Sequence, residues 1–245
     1  MSPAKAKTAE KAPKAPRPKS APRRPSRGPG IVRYNSLVDA TERLLTEQSP
    51  DDIGLYQIGE AADAPMASVY HFFPTREAAF LALAERYLEG FLALGLQPVE
   101  AAALQSWQDL VAIDQRLAMD FYNSHPPALK IFYGGYGGLE TRQADIGYTR
   151  GIAQSLYHRL DAAFHMPPLR DAATKFHIAL ALMDAVFAIS YEANGRITED
   201  YYQEAKSAFV AYCGLFLPPR LEPREACLEA AARGEHIRLP QLFVA

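Results

Sequence analysis

The amino-acid sequence predicts an all-α protein, and three observations lead to this fold class. From Tyr34 onward, apolar residues recur at the three- and four-residue spacing of helices that bury one face. No segment alternates apolar and polar residues convincingly enough to predict a β-strand. Proline, glycine and helix-capping residues divide the chain into segments of helical length. Together they predict a small N-terminal group of helices followed by a larger helical body.

The N-terminal group contains three short or medium helices and the start of a fourth. The first is predicted from about Tyr34 to a stop before Pro50, and the second covers about residues 55–62. Pro65 suits the first turn of the third helix, where its missing N–H is not needed. Thr75 is the predicted N-cap of a fourth, long helix, because its hydroxyl can accept a hydrogen bond from a free backbone N–H.

Five further helices are predicted in the rest of the chain. A glycine-rich turn or hinge at residues 134–138 separates the first of them from the second. Asn194 and Gly195 suit the end of the third body helix, since both tolerate a left-handed backbone. The five helices cover about residues 110–125, 146–164, 169–193, 198–217 and 223–233. The last lies in a C-terminal extension, 218–245, for which the sequence indicates no function.

Charge is distributed unevenly along the chain. The net charge of the whole sequence is −2, but residues 1–30 contain nine basic residues and one acidic residue and therefore carry +8. This segment is rich in proline and has no aromatic residue, so we predict that it is disordered. A basic arm on an acidic body suggests an anionic partner, with nucleic acid ahead of a membrane surface. The alternative is a tail that only improves solubility.

Several classes of protein do not fit the sequence. No apolar run reaches the roughly 18 to 20 residues of a membrane span, and no secretory signal is visible at the N-terminus. Cys213 and Cys227 form neither a disulfide framework nor a metal-binding pair of CxxC motifs. We therefore predict a cytoplasmic protein without a metal or a cofactor.

The most specific motif lies between residues 54 and 80. Two short helices joined by Ala-Asp-Ala and followed by an aromatic pair and a proline describe a helix-turn-helix. Its second helix must be slim to enter the DNA major groove, which is about 12 Å wide. Ala67 and Ser68 provide that slimness, and Ala61 and Ala62 allow the two helices to approach closely.

At these residues the chain resembles the tetracycline-repressor (TetR) family of bacterial transcriptional regulators. The resemblance covers Leu37 to Leu45, then Ile58-Gly59-Glu60-Ala61-Ala62-Asp63-Ala64 and Ser68-Val69-Tyr70-His71-Phe72-Phe73-Pro74-Thr75-Arg76-Glu77. It implies a DNA-binding domain at 31–80 and an effector-binding and dimerisation domain at 81–217. It also implies a repressor that a small molecule releases from its operator, and a homodimer formed through the helices at about 169–193 and 198–217.

The resemblance and the helical geometry nominate nine DNA-binding residues. Two positions depart from the family pattern, with Asp63 where glycine is frequent at the turn and Met66 where lysine is frequent. Residues 31–80 carry a net charge of −5, so we expect the basic arm to provide much of the attraction to phosphates. The candidates are Arg23, Arg24, Arg27, Met66, Ser68, Tyr70, His71, Thr75 and Arg76.

Aromatic and histidine side chains are frequent in the middle of the sequence, where the resemblance implies an effector pocket. Their character predicts an apolar or aromatic effector, although most single members of such a set belong to an ordinary core. The candidate ligand-binding residues are Trp107, Phe121, Tyr122, His125, Tyr133, Tyr136, His165 and Phe187.

Two alternative functions remain open at this stage. The acidic head is compatible with a TetR-like protein adaptor that no longer reads DNA. A helical enzyme is the less favoured alternative, because His158 and His165 lie two turns apart but no catalytic motif accompanies them.

Overall fold

The computed structural model describes residues 21–136 and 138–241, and within residues 138–142 and 144–145 only the backbone. The predicted all-α class is confirmed. The described residues form ten α-helices: α1 Gly28–Glu47, α2 Leu55–Ala61, α3 Met66–Phe72, α4 Arg76–Leu94, α5 Trp107–Ser124, α6 Pro126–Phe132, α7 Gly138–Ala163, α8 Ala172–Asn194, α9 Glu199–Cys213 and α10 Glu225–Ala232.

Helices α1, α2 and α3 pack with α4 around one apolar cluster and form the N-terminal head. The backbone N–H of Ala78 donates to the hydroxyl of Thr75 at 3.2 Å, which confirms the predicted N-cap of α4. Asp63, in the turn between α2 and α3, has a φ of +47°. A glycine adopts this left-handed conformation without strain, and aspartate is among the few other residues that tolerate it.

The predicted disorder of residues 1–30 is wrong for residues 21–30. Helix α1 begins at Gly28, and Pro22 is buried. The backbone N–H of Arg23 donates to the carbonyl of Phe72 at 2.8 Å, and the Arg24 guanidinium pairs with carboxylates of α4. These contacts are made with residues about 50 or more positions away, so the local composition does not reveal them. Residues 1–20 of the predicted arm lie outside the described residues.

The head and the body share buried side chains along α4 and α6. Phe121, Ala128 and Ile131 from the body belong to the same apolar cluster as the head residues. Lys130 of α6 donates to the carbonyl of Leu45 at 2.5 Å, at the end of α1. Pro126 and Pro127 begin α6, whereas the sequence suggested only that they end the preceding helix.

The body consists of α5, α7, α8 and α9 around a core that includes Phe176, Phe187 and Phe209. By length and composition alone, α8 is long and apolar enough to cross a membrane, and 28% of its most apolar window is buried. No segment of this kind was predicted from the sequence. Helix α8 packs against α7 on one side and α9 on the other, and part of its apolar surface stays exposed in the single chain.

The C-terminal extension covers the junction between α4 and α5. Two short strands pair antiparallel, β1 (Val99–Glu100) with β2 (His236–Ile237), and the indole N–H of Trp107 donates to the carbonyl of Pro218 at 3.0 Å. Two-residue strands are too short to produce an alternating pattern, which is why the sequence did not predict them. Residues 242–245 of the apolar C-terminus lie outside the described residues.

A buried ion pair connects four segments of the body. The guanidinium of Arg159, on α7, contacts both carboxylate oxygens of Asp114, on α5, at 2.8 and 3.2 Å. It also donates to the carbonyls of Gly95, at the end of α4, at 3.1 Å and Pro240, in the extension, at 2.8 Å. Arg159 is 1% exposed. One side chain therefore fixes the ends of α4 and of the C-terminal extension to the body.

Candidate nucleic-acid interface and effector cavity

Helix α3 has one buried and one exposed face. Val69 and Phe72 are buried, as the sequence predicted, and anchor the helix on the head. Ala67, Tyr70 and His71 lie on the exposed face, with Tyr70 56% exposed. The protruding face thus offers a small side chain, a phenol and an imidazole. This composition suits a helix that enters a groove and forms hydrogen bonds with base edges or phosphates.

A surface groove runs beside α3 between this helix and the start of α1. Ser68 and His71 line it from α3, and Arg33 lines it from α1. Arg33 is exposed. The sequence analysis did not nominate Arg33, although its place one turn before Leu37, on a helix adjoining the motif, is a signal that could have found it. The structure adds this cation to the candidate DNA surface.

Three of the nominated residues in the head make internal contacts. A Cβ atom built at Gly59 would lie 3.0 Å from the sulfur of Met66, so Met66 packs on α2. The hydroxyl of Thr75 accepts the N-cap hydrogen bond of α4. Arg76 donates to the Glu77 carboxylate at 2.9 Å and to the carbonyl of Pro50 at 3.2 Å. These contacts indicate structural roles, and for DNA contact we favour the residues of the exposed face of α3.

The three arginines nominated in the arm lie at different places. Arg23 is at the carboxyl end of α3, where its guanidinium is 3.5 Å from the carbonyl of His71. The guanidinium of Arg24 lies against α4, because it pairs with Glu85 at 2.8 Å and with Glu89 at 3.2 Å. Arg27 is exposed directly before α1. Arg23 and Arg27 therefore remain candidates for phosphate contact, and we leave Arg24 out.

Part of the negative charge of the head is paired with a cation of α4. Arg86 of α4 pairs with both Asp39 and Glu42 of α1. The hydroxyl of Tyr87 donates to Glu42 at 2.6 Å, and burial together with this carboxylate raises the pKa of the Tyr87 hydroxyl. Helix α3 itself contains no acidic residue. The net charge of residues 31–80 therefore overstates the repulsion that a phosphate would meet at α3.

Replacing Tyr70 or His71 with Ala is expected to weaken DNA binding about 5- to 100-fold, because each would lose one contact of about 1–3 kcal/mol. Both side chains are exposed, so thermal unfolding should stay unchanged. Fluorescence anisotropy with a selected DNA duplex measures the affinity. His158→Ala, an exposed histidine on α7, is the matched control and should bind like the parent protein. Unchanged affinity in both head variants would contradict the assignment.

The body contains an apolar cavity of about 60 Å³ among α4, α5, α7, α8 and α9. Leu88 and Phe91 line it from α4, which also carries the head. Asp114 and Gln115 line it from α5, and Asp184 lines it from α8. The hydroxyl of Tyr133 donates to Asp184 at 3.2 Å. Burial raises the pKa of the Asp114 carboxyl group, and the Arg159 guanidinium offsets part of this effect.

Gln115 is the unusual polar residue of this cavity. Its side chain is 3% exposed, and neither its amide nitrogen nor its amide oxygen has a hydrogen-bond partner in the part of the chain that the structure describes. Buried polar groups in folded proteins nearly always have a partner, since leaving one unpaired costs about 1–3 kcal/mol. Sequence reasoning missed Gln115, because a single glutamine in an amphipathic helix is normally on the solvent side.

Comparison with known proteins identifies the fold. No family model matches the sequence. Two curated HTH-type transcriptional regulators from Mycobacterium tuberculosis, both of uncharacterised function, are 43% identical to the chain over 42 residues, which are 17% of this chain and 21% of each relative. The match thus spans about a fifth of those relatives and is limited to one short segment.

Solved structures match over most of the chain. A TetR-family regulator from Streptomyces coelicolor aligns with a TM-score of 0.55 at 20% identity, over 77% of this chain and 99% of its own. A TetR regulator from Rhodococcus sp. RHA1 aligns with a TM-score of 0.56 at 18% identity, over 74% and 95%. The chain has the TetR-family fold. The fatty acid degradation regulator FadR from Bacillus halodurans aligns with a TM-score of 0.53 at 12% identity, over 78% of this chain and 98% of its own.

Within the TetR fold, the structure brings only some of the nominated ligand-binding residues to the cavity. Tyr122 lines the cavity. Tyr133 does not line it, but its hydroxyl donates to Asp184, which does. Phe187 is buried beside Tyr133. Aromatic character predicts burial better than it predicts a pocket, so most of the set has other roles.

The remaining five nominated residues lie elsewhere in this TetR fold. The indole N–H of Trp107 donates to the C-terminal extension. His165 is exposed, directly after the end of α7. Phe121 and His125 pack on each other at the junction of head and body, with ring centroids 4.4 Å apart. Tyr136 is 37% exposed in the loop before α7. None of these five is among the residues that line the cavity.

Proposed function

We propose that this protein is a sequence-specific DNA-binding transcriptional regulator, a homodimeric repressor that a small molecule releases from its operator. The observation that carries the proposal is the exposed face of α3, which presents Tyr70 and His71, with His71 sharing a groove with the exposed cation Arg33. A slim helix with polar side chains and an adjacent cation is what a major-groove contact requires. The resemblance to TetR regulators in fold supports the same function.

Dimerisation is supported by an exposed apolar stripe on α8. Ile178, Leu182 and Ile189 follow one another by four and seven residues, so they lie on one face of the helix. They are 43%, 38% and 53% exposed. An exposed apolar stripe of this kind favours a partner, and a second copy related by a two-fold axis would cover both stripes at once. Two recognition helices could then reach successive major grooves, about 34 Å apart.

Replacing Ile189 with Glu is expected to convert the dimer into a monomer, because two carboxylates would be buried close to the two-fold axis. Light scattering coupled to size exclusion measures the molar mass, which should fall towards the 27.0 kDa of one chain. Leu228→Glu is the matched control, since Leu228 is 55% exposed on α10, outside the stripe. A dimer that survives Ile189→Glu would place the interface elsewhere.

The test of the whole proposal is selection of bound duplexes from a random DNA pool, followed by affinity measurements on the enriched sequence. We expect a sequence with two related half-sites one helical turn apart. Affinity for it should exceed affinity for unrelated DNA by at least 10³-fold. Failure to enrich any sequence would contradict DNA recognition and favour the protein-adaptor alternative.

A further inference from the structure

The amide of Gln115 is the polar group that the structure leaves without a partner at the centre of the body. It lies in the third turn of α5, with walls of α4, α7, α8 and α9 around it. The cavity walls next to it are mostly apolar, and Val111, Ala118 and Leu156 are among them. An unpaired donor and an unpaired acceptor on one buried side chain can both be satisfied by a ligand that offers an acceptor and a donor side by side.

The charges of the described residues around the cavity disfavour an anionic ligand. Of the described residues that line it, none is lysine, arginine or histidine, while Asp114 and Asp184 contribute carboxylates. Arg159 pairs with Asp114 from α7 and does not line this cavity itself. Against the described lining, an anion would therefore lose its hydration without gaining a cation.

We infer that the cavity binds an uncharged ligand with an apolar body and a carboxamide or lactam head, and that Gln115 recognises this head through two reciprocal hydrogen bonds. The amide N–H of Gln115 donates to the carbonyl of the ligand, and the carbonyl of Gln115 accepts from the N–H of the ligand. The apolar body lies against Phe91, Tyr122 and Phe209. The role of this ligand as an effector rests on the function proposed above, whereas its binding does not.

The size of the cavity connects binding to the head. At about 60 Å³ it has less than half the volume of a cavity that admits benzene, which is about 150 Å³. A ligand with an aromatic ring must therefore displace the lining. Since Leu88 and Phe91 belong to α4, the helix that carries the head, the expanded form differs in the position of α4. A ligand that binds only this form shifts the population towards it.

Four probes of nearly equal size separate the contributions to binding: benzamide, benzoate, benzylamine and toluene. Isothermal titration calorimetry with the full chain is expected to show binding of benzamide at least tenfold tighter than that of toluene, and no binding of benzoate. Gln115→Leu should weaken benzamide binding at least tenfold and leave toluene binding unchanged or tighter. The same variant should unfold at a higher temperature without ligand, because it removes an unpaired buried amide.

The matched control is Gln154→Leu, which makes the same change at an exposed position of α7. It should bind all four probes like the parent protein. Equal benzamide affinity in the parent and in Gln115→Leu, preferred binding of benzoate or benzylamine, or the absence of binding by all four probes would each overturn the inference. Because calorimetry needs no DNA, benzamide binding by a chain that selects no DNA would contradict the proposed function alone.

Discussion

Replacing Arg159 with Met is expected to lower the free energy of unfolding by about 3–5 kcal/mol, because it leaves a buried carboxylate without its counter-charge. Arg159 is 1% exposed and contacts both oxygens of Asp114. The variant also leaves the carbonyls of Gly95 and Pro240 without their donor. Urea unfolding followed by circular dichroism measures the change.

The loss of stability in Arg159→Met should depend on pH in a defined direction. Burial already raises the pKa of Asp114 in the folded parent protein, and removal of the guanidinium raises it further. In the variant the folded state therefore binds a proton more readily than the unfolded chain, whose aspartates titrate near pH 4. The deficit is expected to be smallest near pH 4 and to grow as the pH rises towards 8, because the buried carboxyl group then ionises.

Two variants distinguish the buried pair from a general effect of losing an arginine. Arg233→Met removes an exposed arginine that pairs with Glu235, and it should change stability by less than about 1 kcal/mol. The double variant Asp114→Leu/Arg159→Met removes both charges and should recover much of the loss. A deficit in Arg159→Met that does not change between pH 4 and pH 8 would show that Asp114 is not the group that titrates.

The order of the helices, and all of them except α6, could be predicted because their signals are local. Pro50, Thr75 and Gly195 mark ends or caps through their own backbone chemistry, and the structure has helix boundaries within a few residues of each. Apolar spacing likewise assigns Val69 and Phe72 to the buried face of α3. Such features depend on a few neighbouring residues, which is the range over which a single sequence is informative.

The site was predicted less completely, because its contacts join distant parts of the chain. Residues 21–27 are polar and rich in proline, but Arg24 meets its carboxylates 61 and 65 positions away. From the sequence alone, Met66 would be placed on the outer face of α3. Because Gly59 has no side chain, Met66 packs on α2 instead. Asp114, Gln115 and Arg159 look like solvent-facing residues of amphipathic helices, yet the extension and neighbouring helices bury them. Tertiary packing decides each of these cases.

A chain that begins at Ala21 is expected to bind DNA at least tenfold more weakly than the full chain at about 100 mM salt, with a clearly shallower salt dependence. Residues 1–20 contain six basic residues and one acidic residue, whereas Arg23 and Arg27 stay on the folded head. Each phosphate neutralised by a cation contributes about 0.9 to the slope of log K against log salt, so the slope should decrease by about 3–5. Anisotropy titrations between 50 and 300 mM salt measure both quantities.

The corresponding full-length control carries glutamine in place of Lys5, Lys7, Lys11, Lys14, Arg17 and Lys19. It should reproduce the weaker binding of the shortened chain, because charge and not the length of the segment attracts the phosphates. His71→Ala should behave in the opposite way, with less preference for the selected sequence over random DNA and an unchanged slope. If the shortened chain keeps the full slope, the phosphate contacts belong to cations of the folded head, such as Arg33, and not to residues 1–20.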